Sequence, residues 1–529
     1  MTEQVKELNA KVNQIINEIK EQYLTDDGNL PWLIGYSGGK DSTCTSQLVF
    51  NAVKQLKDEG SSVSRRVIIF SSDTMIENPL VKKIVDGNLE LINRKADEYR
   101  LPIEAHSLAP KITDTFWVNI IGRGYPTPNT TFRWCTDRMK IVPANNFVKK
   151  YIDEAGEVIM VLGVREGESN TRDRVLKTHN IEGVRLMKHS SLPNAYVYAP
   201  IKTLNTTDVF LYLNVYESPW DSNNKELYFF YEESGGGECP IFLSQKDKTS
   251  SNSCGNSRLG CWCCTVVEKD KSLTGFIETG WHNELKPLLE FRNWLTSIRD
   301  DINYRNFYRM NGSVYTKKID VKTDQQGEYL VIPKKGNRGR TVIRIGDDSC
   351  EHGFVFVEMD NLASFMAEQH LTFKDSKMAK VILKDSVTGN YYRIGTGPFN
   401  SKAKKEIFFN LIETEYKYRE KCNAKIQLIT DDEILEIKKQ WIKSSMDVDY
   451  IDKVMDKFNR DKVEIIQDSF EIINQKYELK LKGVLEKNNL DYEILNTLIQ
   501  QEKELSLKTD RKEMLSFIDS TFKSDKVSF

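Results

Sequence analysis

The sequence predicts an α/β protein built on a parallel sheet flanked by helices. Short apolar runs alternate with amphipathic stretches over the first 160 or so residues, the pattern of strands joined by crossover helices. A glycine-containing loop, SGGKDS, follows the first apolar run directly and opens a helix. The composition of the 529 residues, 39% hydrophobic and 29% charged, suits a globular chain and excludes a disordered one. No stretch approaches the roughly 20 consecutive apolar residues of a spanning helix. No membrane partner is therefore expected.

The elements follow in order. Residues 3–24 carry Val5, Leu8, Val12, Ile15, Ile16 and Ile19 at a 3.6-residue period, which predicts an amphipathic helix. After the turn DDGN, the run PWLIGY reads as the first strand and TCTSQLVFNAVKQLK as the next helix. Val67 to Phe70 reads as a second strand ending in SSDT, residues 79–99 as a helix, and 157–164 as a third buried strand. Residues 234–262 break the pattern and read as loop. From about 303 to 400, short β-like runs (YLVIP, TVIRIG, FVFVEM, KVILKD) are separated by Gly, Asn and Asp turns. Beyond 401 the chain is Lys/Glu-rich with helical periodicity, and it reads as a packing or partner-docking region. The expected organisation is an N-terminal helix (1–29), an α/β domain (30–300), a basic β-rich region (301–400) and a helical C-terminal region (401–529).

In the loop, Gly38 and Gly39 let backbone N–H groups approach an anion, and the helix N-terminus adds its positive end. Lys40 adds a point charge, and Ser37, Ser42 and Thr43 add hydroxyls. The Walker spacing is absent: Asp41 follows the lysine, and position 34 is Ile.

This string resembles the PP-loop of the ATP pyrophosphatases, and other segments resemble the PAPS-reductase-like enzymes of that superfamily. SSDTMIENP (71–79) is similar to their D-T-x-x-E-x-P segment, and GVREGESNTR (163–172) to their G-x-R-x-x-E-S-x-x-R motif. RWCTDRMKIVP (133–143) is similar to their C-x-x-x-x-K-x-x-P segment, and YAPIKTLNTTDVFLYL (198–213) to the stretch that closes the domain. Leu204 stands where that family usually carries Trp. The resemblance implies a PP-loop (adenine nucleotide alpha hydrolase-like) sheet. It implies an ATP site of Ser37, Gly38, Gly39, Lys40, Asp41, Ser42, Thr43, Asp73, Thr74, Gly163 and Arg165, with Mg²⁺. PAPS reductases usually lack the Lys-Asp pair, so Lys40 and Asp41 favour cleavage of ATP between α and β, and these two are the expected catalytic residues.

Nine cysteines are present, four of them between Cys254 and Cys264. The N-terminus has no apolar signal core, so a secretory leader is not expected and a reducing, cytoplasmic setting is. Clustered thiols there point to metal or redox chemistry. Cys254, Cys261 and Cys264 have ligand spacing, and Cys135 lies in a segment the resemblance places near the nucleotide. Four such thiolates suit either Zn²⁺ or a 4Fe–4S cluster. Cys263 is an extra thiol, Cys239 in GECP is a candidate persulfide carrier and tentative catalytic residue, and Cys44 is expected in the core.

CGNSRLGCWCCTVVEKDKS, with GGGECP upstream, resembles the DndC family, the sulfurtransferases of bacterial DNA phosphorothioation. That resemblance implies a 4Fe–4S cluster, ATP pyrophosphatase activity and replacement of a non-bridging DNA phosphate oxygen by sulfur. It also implies a cysteine desulfurase as sulfur donor, and DndD- and DndE-like partners. Residues 305–344 hold ten Lys or Arg against three acids, with interleaved aromatics, which suits DNA phosphate contact or a solvated basic face. The net charge of the chain, −2, decides nothing here. A PAPS or APS reductase, a tRNA thiolase and a zinc-stapled DNA-binding module are the alternatives.

Overall fold

A computed structural model describes residues 3–25, 30–166, 186–189, 192–234, 260–333, 340–345, 353–368, 380–422, 426–463 and 482. The chain divides into two compact units. The first comprises Met1–Phe116, Thr127–Thr296 and Glu413–Ile429; the second comprises Trp117–Pro126, Ser297–Ile412 and Thr430–Phe529.

The first unit is the α/β domain. Its strands are β1 (Trp32–Gly35), β2 (Val67–Ser72), β3 (Ile103–Leu108), β4 (Val158–Val161), β5 (Met187–Lys188) and β6 (Ala195–Tyr198), in the order β3-β2-β1-β4-β6-β5. All neighbours are parallel except β5 against β6. Trp32, Ile34, Val67, Ile69, Ile159 and Val161 enter one buried cluster, and Leu33, Ile68, Phe70, Val158 and Met160 enter another. Alternate residues of a strand face opposite ways, so burial of both faces turns these strands into continuous apolar runs.

Helices α1 (Glu3–Thr25), α2 (Lys40–Asp58) and α3 (Pro79–Glu98) cover the first face, and α4 (Val142–Ala155) covers the second through Val148 and Tyr151. Helix α5 (Thr206–Val215) joins the first face through Val209 and Leu213, beside Leu204, which is buried in that core in place of an aromatic ring. Asn78 caps α3 by accepting from the N–H of Leu80, and Pro79 fills its first position. The chain moves outward from β1 to β2 to β3 and then returns to the other side of β1 as β4. That reversal opens a crevice at the carboxyl ends of β1 and β4, the usual ligand position in such sheets.

The second unit holds a six-stranded sheet of β7 (Thr316–Asp324), β8 (Gly327–Pro333), β9 (Arg340–Arg344), β10 (Phe354–Met359), β11 (Lys380–Asp385) and β12 (Tyr391–Ile394). Its order is β10-β11-β12-β7-β8-β9, antiparallel except for β10 beside β11. The β-rich region is thus present, with two strands, β7 and β12, that the apolar runs did not announce. The helical C-terminal region is also present, in Ser401–Cys422, Asp431–Lys443 and Asp449–Lys457. In Asp431–Lys443 the buried Trp441 donates to the carbonyl of Ile121 at 2.8 Å. Among the described residues, no helix is long and apolar enough to cross a membrane.

Candidate active site

The SGGKDS loop leaves β1 at its carboxyl end and turns into α2. Gly38 has φ +70°, and a Cβ there would lie 2.5 Å from Cγ2 of Val85, so conformation and space both demand glycine. The Gly39 position supplies no side-chain cap to α2, and the N–H of Lys40 donates instead to the hydroxyl of Tyr231 at 3.2 Å. Ser42 shapes the loop: its hydroxyl donates to the carbonyl of Gly39 at 3.0 Å and accepts from the N–H of Ser37 at 3.2 Å. Thr43 Oγ1 lies 3.5 Å from the hydroxyl of Tyr36.

Lys40 and Asp41 do not point together into open space. Lys40 Nζ lies 3.1 Å from Asp41 Oδ2 and 5.9 and 5.7 Å from the ring centres of Phe210 and Tyr231. Asp41 Oδ1 accepts from Nε of Arg165 at 2.6 Å, and Arg165 donates onward to Thr206 at 3.0 Å. This network sits at the foot of α2, with Arg165 only 3% exposed. Gly163 allows it: a Cβ there would meet the Asp41 carbonyl oxygen at 2.9 Å and Thr45 Oγ1 at 3.0 Å. The loop after β4 therefore presses directly on the first turn of α2.

Beside the loop lies a cavity of about 240 Å³, lined by Ser37, Asp73, Glu77, Lys82, Asp86 and Lys140 among others. The segment after β2 turns here through Met75, whose φ of 62° is costly for a side chain of its size. Its N–H donates to Asp73 at 2.7 Å, and Lys82 Nζ lies 2.6 Å from Asp73 and 3.1 Å from Asp86. Burial works to lower the Lys82 pKa, but Asp73 and Asp86 outweigh it and hold it above the usual value. Lys140 lies 3.3 Å from Glu77. Burial opposes its charge too, and Glu77 with the thiols of Cys261 and Cys135 overrides it, raising the pKa. Two ammonium groups and Ser37 of the loop thus line this space together with three carboxylates, Asp73, Glu77 and Asp86, a mixed lining in which the lysines can meet phosphate oxygens and the carboxylates a cation bound to them.

The cysteines meet this cavity from one side. Glu77 forms a β-bridge with Cys261, the N–H of Trp262 donates to the carbonyl of Ile76 at 3.1 Å, and Thr74 Oγ1 lies 2.9 Å from Glu77 and 3.6 Å from Cys261 Sγ. Cys135 sits on the short helical turn Trp134–Thr136, and a π-helical turn, Asp137–Ile141, then presents Lys140. Burial and the nearby Cys264 thiol raise the Cys135 pKa; burial and then the carboxylate of Glu77 raise that of Cys261. Cys263 is fully buried, and burial first and then the other three thiols push its pKa well up. Arg292, also fully buried, pins the segment beyond. It donates to the carbonyls of Cys264 at 2.9 Å and Glu268 at 2.7 Å, and to that of Val267.

For a cluster, the donor chemistry fits: Cys135, Cys261 and Cys264 are soft thiol ligands from two segments brought into one another's electrostatic range. Among the described residues, no group of three or more His, Cys, Asp or Glu forms a closed ligand set. Cys254, the fourth expected ligand, and Cys239 lie outside the described residues, as do the EGESNTR residues beyond Glu166. Of the expected nucleotide residues, Ser37 and Asp73 line the cavity, while Lys40, Asp41, Gly163 and Arg165 form the support behind it. Thr74 faces the cysteine segment instead. Lys82, Glu77, Lys140 and Arg292 were not anticipated as site residues. Glu77 and Lys140 stood inside quoted motifs, whereas nothing in the sequence marks Arg292. Cys44 is buried in the core as expected.

Comparison with known proteins places the match on this unit. The family model of the phosphoadenosine phosphosulfate reductase domain matches residues 31–267, a little under half of the chain. No curated protein matches the chain. Among solved structures, the phosphoadenylyl-sulfate reductase of Candida auris is 11% identical, with 40% of this chain and 86% of that one covered and a TM-score of 0.25. The FMN adenylyltransferase of Candida glabrata, solved with FAD and inorganic pyrophosphate, is 12% identical over 39% of this chain and 58% of that one (TM-score 0.24). The U34-tRNA thiolase of Methanococcus maripaludis, with its 4Fe–4S cluster, is 16% identical over 45% and 77% (TM-score 0.25).

Proposed function

We propose that this chain is an ATP-dependent sulfurtransferase that activates a DNA backbone phosphate and exchanges one of its non-bridging oxygens for sulfur. The observation that carries the reading is the sharing of Glu77 and Lys140: both line the phosphate-type cavity, and both lie against the cysteine segment. A nucleotide and a sulfur-handling group would therefore meet within one site.

The chemistry needs two displacements. A non-bridging oxygen of the DNA phosphate attacks the α-phosphorus of ATP, the α–β bond breaks, and pyrophosphate departs. Lys82, Lys140 and the N-terminus of α2 would stabilise the charge that develops on the leaving group. The terminal sulfur of a persulfide then attacks the DNA phosphorus, and AMP leaves with the oxygen. A second thiol cleaves the S–S bond, leaving sulfur on the DNA and a disulfide that an external dithiol reduces. A cysteine desulfurase would supply the persulfide, with Cys239 as one candidate carrier, and DndD- and DndE-like proteins are the partners proposed. Mg²⁺, when bound, would neutralise pyrophosphate charge. Cys135, Cys254, Cys261 and Cys264 would hold the 4Fe–4S cluster, which would supply electron-transfer or structural chemistry.

The test is mass spectrometry of DNA from cells that carry this chain and its neighbouring genes, digested to nucleotides, beside a Lys40→Ala strain. Phosphorothioate-linked dinucleotides that vanish in the variant are expected. Their absence from both strains, with all genes expressed, overturns the reading. The family match favours one second reading, reduction of PAPS to sulfite. It predicts sulfite from PAPS and no pyrophosphate from ATP. Thiolated tRNA without thiolated DNA would instead identify a tRNA thiolase.

A further inference from the structure

We propose that the second unit binds the phosphodiester backbone of duplex DNA along a row of cations crossing the middle of its sheet, formed by Lys317 on β7, Arg393 on β12 and Lys380 on β11. The proposal rests on the DNA reading above for the identity of the polyanion, and it names the surface that would hold it.

The strand register builds the row. Lys317 is the direct cross-strand partner of Arg393, and Arg393 is the partner of Ile382. Side chains alternate along a strand, so Lys380, two residues before Ile382, lies on the face that carries Arg393 and Lys317. On that same face Ile319, Ile382 and Tyr391 enter a buried cluster, so the cations stand at its rim. Burial, and then the charge of Arg393, depress the Lys380 pKa, in keeping with this placement.

Like charges directly opposite on neighbouring strands destabilise a sheet. Lysines are common on edge strands, where they discourage pairing with other chains. Neither β12 nor β7 is an edge: the order β11-β12-β7-β8 gives each two neighbours. Among the described residues none of the three cations makes an ion pair. Asp300, which acts electrostatically on Lys380, already holds Arg299 at 2.7 Å. Two cations nearby are matched, Lys384 with Glu358 at 2.7 Å and Arg344 with Asp324 at 2.8 Å, while Lys318 and Lys322 of β7 make no ion pair among the described residues. Three cations on one face, none of them in an ion pair among the described residues, present a positive surface to an external anion. Strands lie about 4.8 Å apart, so three strands present cations over roughly 10 Å. Duplex DNA carries one charge per about 1.7 Å of axis and meets such a row with several phosphates.

Of the run of basic residues between 305 and 344, the row takes Lys317 alone. Arg305 is buried, donating to the carbonyls of Gly397 and Arg299, and Arg344 is paired. Arg393 and Lys380 come from outside the run.

The test uses the full chain, a fluorescent 30-base-pair DNA duplex and anisotropy titrations over a series of salt concentrations, without ATP. The triple variant Lys317→Ala/Arg393→Ala/Lys380→Ala should bind at least tenfold more weakly at 0.1 M salt. Its log–log salt slope should be shallower by about two to three, at about 0.9 for each phosphate that the protein no longer neutralises. Lys384→Ala, which removes a paired cation, should bind as the parent does. Lys317→Glu creates an ion pair with Arg393, so it should keep the thermal midpoint while weakening DNA binding, which separates binding from folding. Unchanged affinity and slope in the triple variant, or tighter binding of the parent to an RNA duplex than to DNA, overturns the proposal. Phosphorothioate formation by the parent, with unchanged affinity in the variant, would refute this surface and keep the sulfurtransferase reading. Loss of affinity in the variant, with no phosphorothioate from the parent, would do the reverse.

Discussion

Replacing Asp41 by Asn should destabilise the α/β unit before it affects any chemistry. Asp41 faces Lys40 at 3.1 Å and Arg165 at 2.6 Å, and the side chains of those cations are 8% and 3% exposed. The amide leaves two buried positive groups facing each other across a neutral side chain. Breaking a buried ion pair from one side costs about 3–5 kcal/mol. The Asp41 side chain is itself 16% exposed, which places the loss near the lower end, at about 3 kcal/mol. For a unit of this size that lowers the thermal midpoint by roughly 5 °C. Arg165→Gln leaves Asp41 beside Lys40 and should cost less, about 2 kcal/mol. Urea unfolding followed by far-ultraviolet circular dichroism and by tryptophan fluorescence measures both. In the double variant the two losses should fall short of additive, because they share one interaction. A loss below about 1 kcal/mol for Asp41→Asn, or a larger loss for Arg165→Gln, would refute the assignment of Asp41 as the common counter-ion.

The remaining expectations concern pH, the cysteine segment and the loop after β4. Burial depresses the Lys404 pKa to about 8 in the folded chain, where its ammonium donates to the carbonyl of Gly122 at 2.9 Å. Between pH 8 and about 10.5 the unfolded chain then holds the extra proton, so stability should rise with pH by up to about 3 kcal/mol. Chemical denaturation across that window should show the rise, and Lys404→Met should abolish it. Arg292→Lys keeps the charge but cannot serve the carbonyls of Cys264, Val267 and Glu268 together, and each one left unsatisfied costs about 1–3 kcal/mol. On the proposed cluster reading the purified variant should retain less iron per chain than the parent, by colorimetric assay, and equal retention would show that the segment is held by other interactions. Gly163→Ala places a methyl group 2.9 Å from the Asp41 carbonyl oxygen and should displace the first turn of α2. ATP affinity by calorimetry should fall about tenfold or more, against little change for Gly156→Ala, where a Cβ meets nothing but φ is +82°.

What could be read from the sequence follows from burial. β1, β2 and β4 are buried on both faces and stand out as apolar runs, whereas β3, IEAHSL, alternates buried and partly exposed positions and carries no such run. β7 is exposed at every residue but Ile319, so its sequence resembles a polar loop. The SGGKDS loop was legible because its glycines and charges are contiguous. Its orientation was not: that Lys40 turns toward Phe210 and Tyr231 depends on residues far along the chain. The basic run illustrates the converse, since a stretch that is contiguous in sequence separates into buried, paired and exposed residues once strands form.

The meeting of the cysteine segment and the cavity also has a physical cause. A strand end in a doubly wound sheet leaves backbone groups unpaired, and the segment after β2 satisfies them with the residues around Cys261. That pairing fixes Cys261 beside Glu77, and Glu77 in turn holds Lys140, which the π-helical turn after Cys135 delivers. Three segments scattered along the chain are therefore tied together by one carboxylate at the mouth of the cavity. Had the cysteines been a remote structural staple, no such tie to the phosphate-type site would be required. Their attachment through Glu77 and Lys140 makes the arrangement of the thiols and the filling of the cavity parts of the same electrostatic balance.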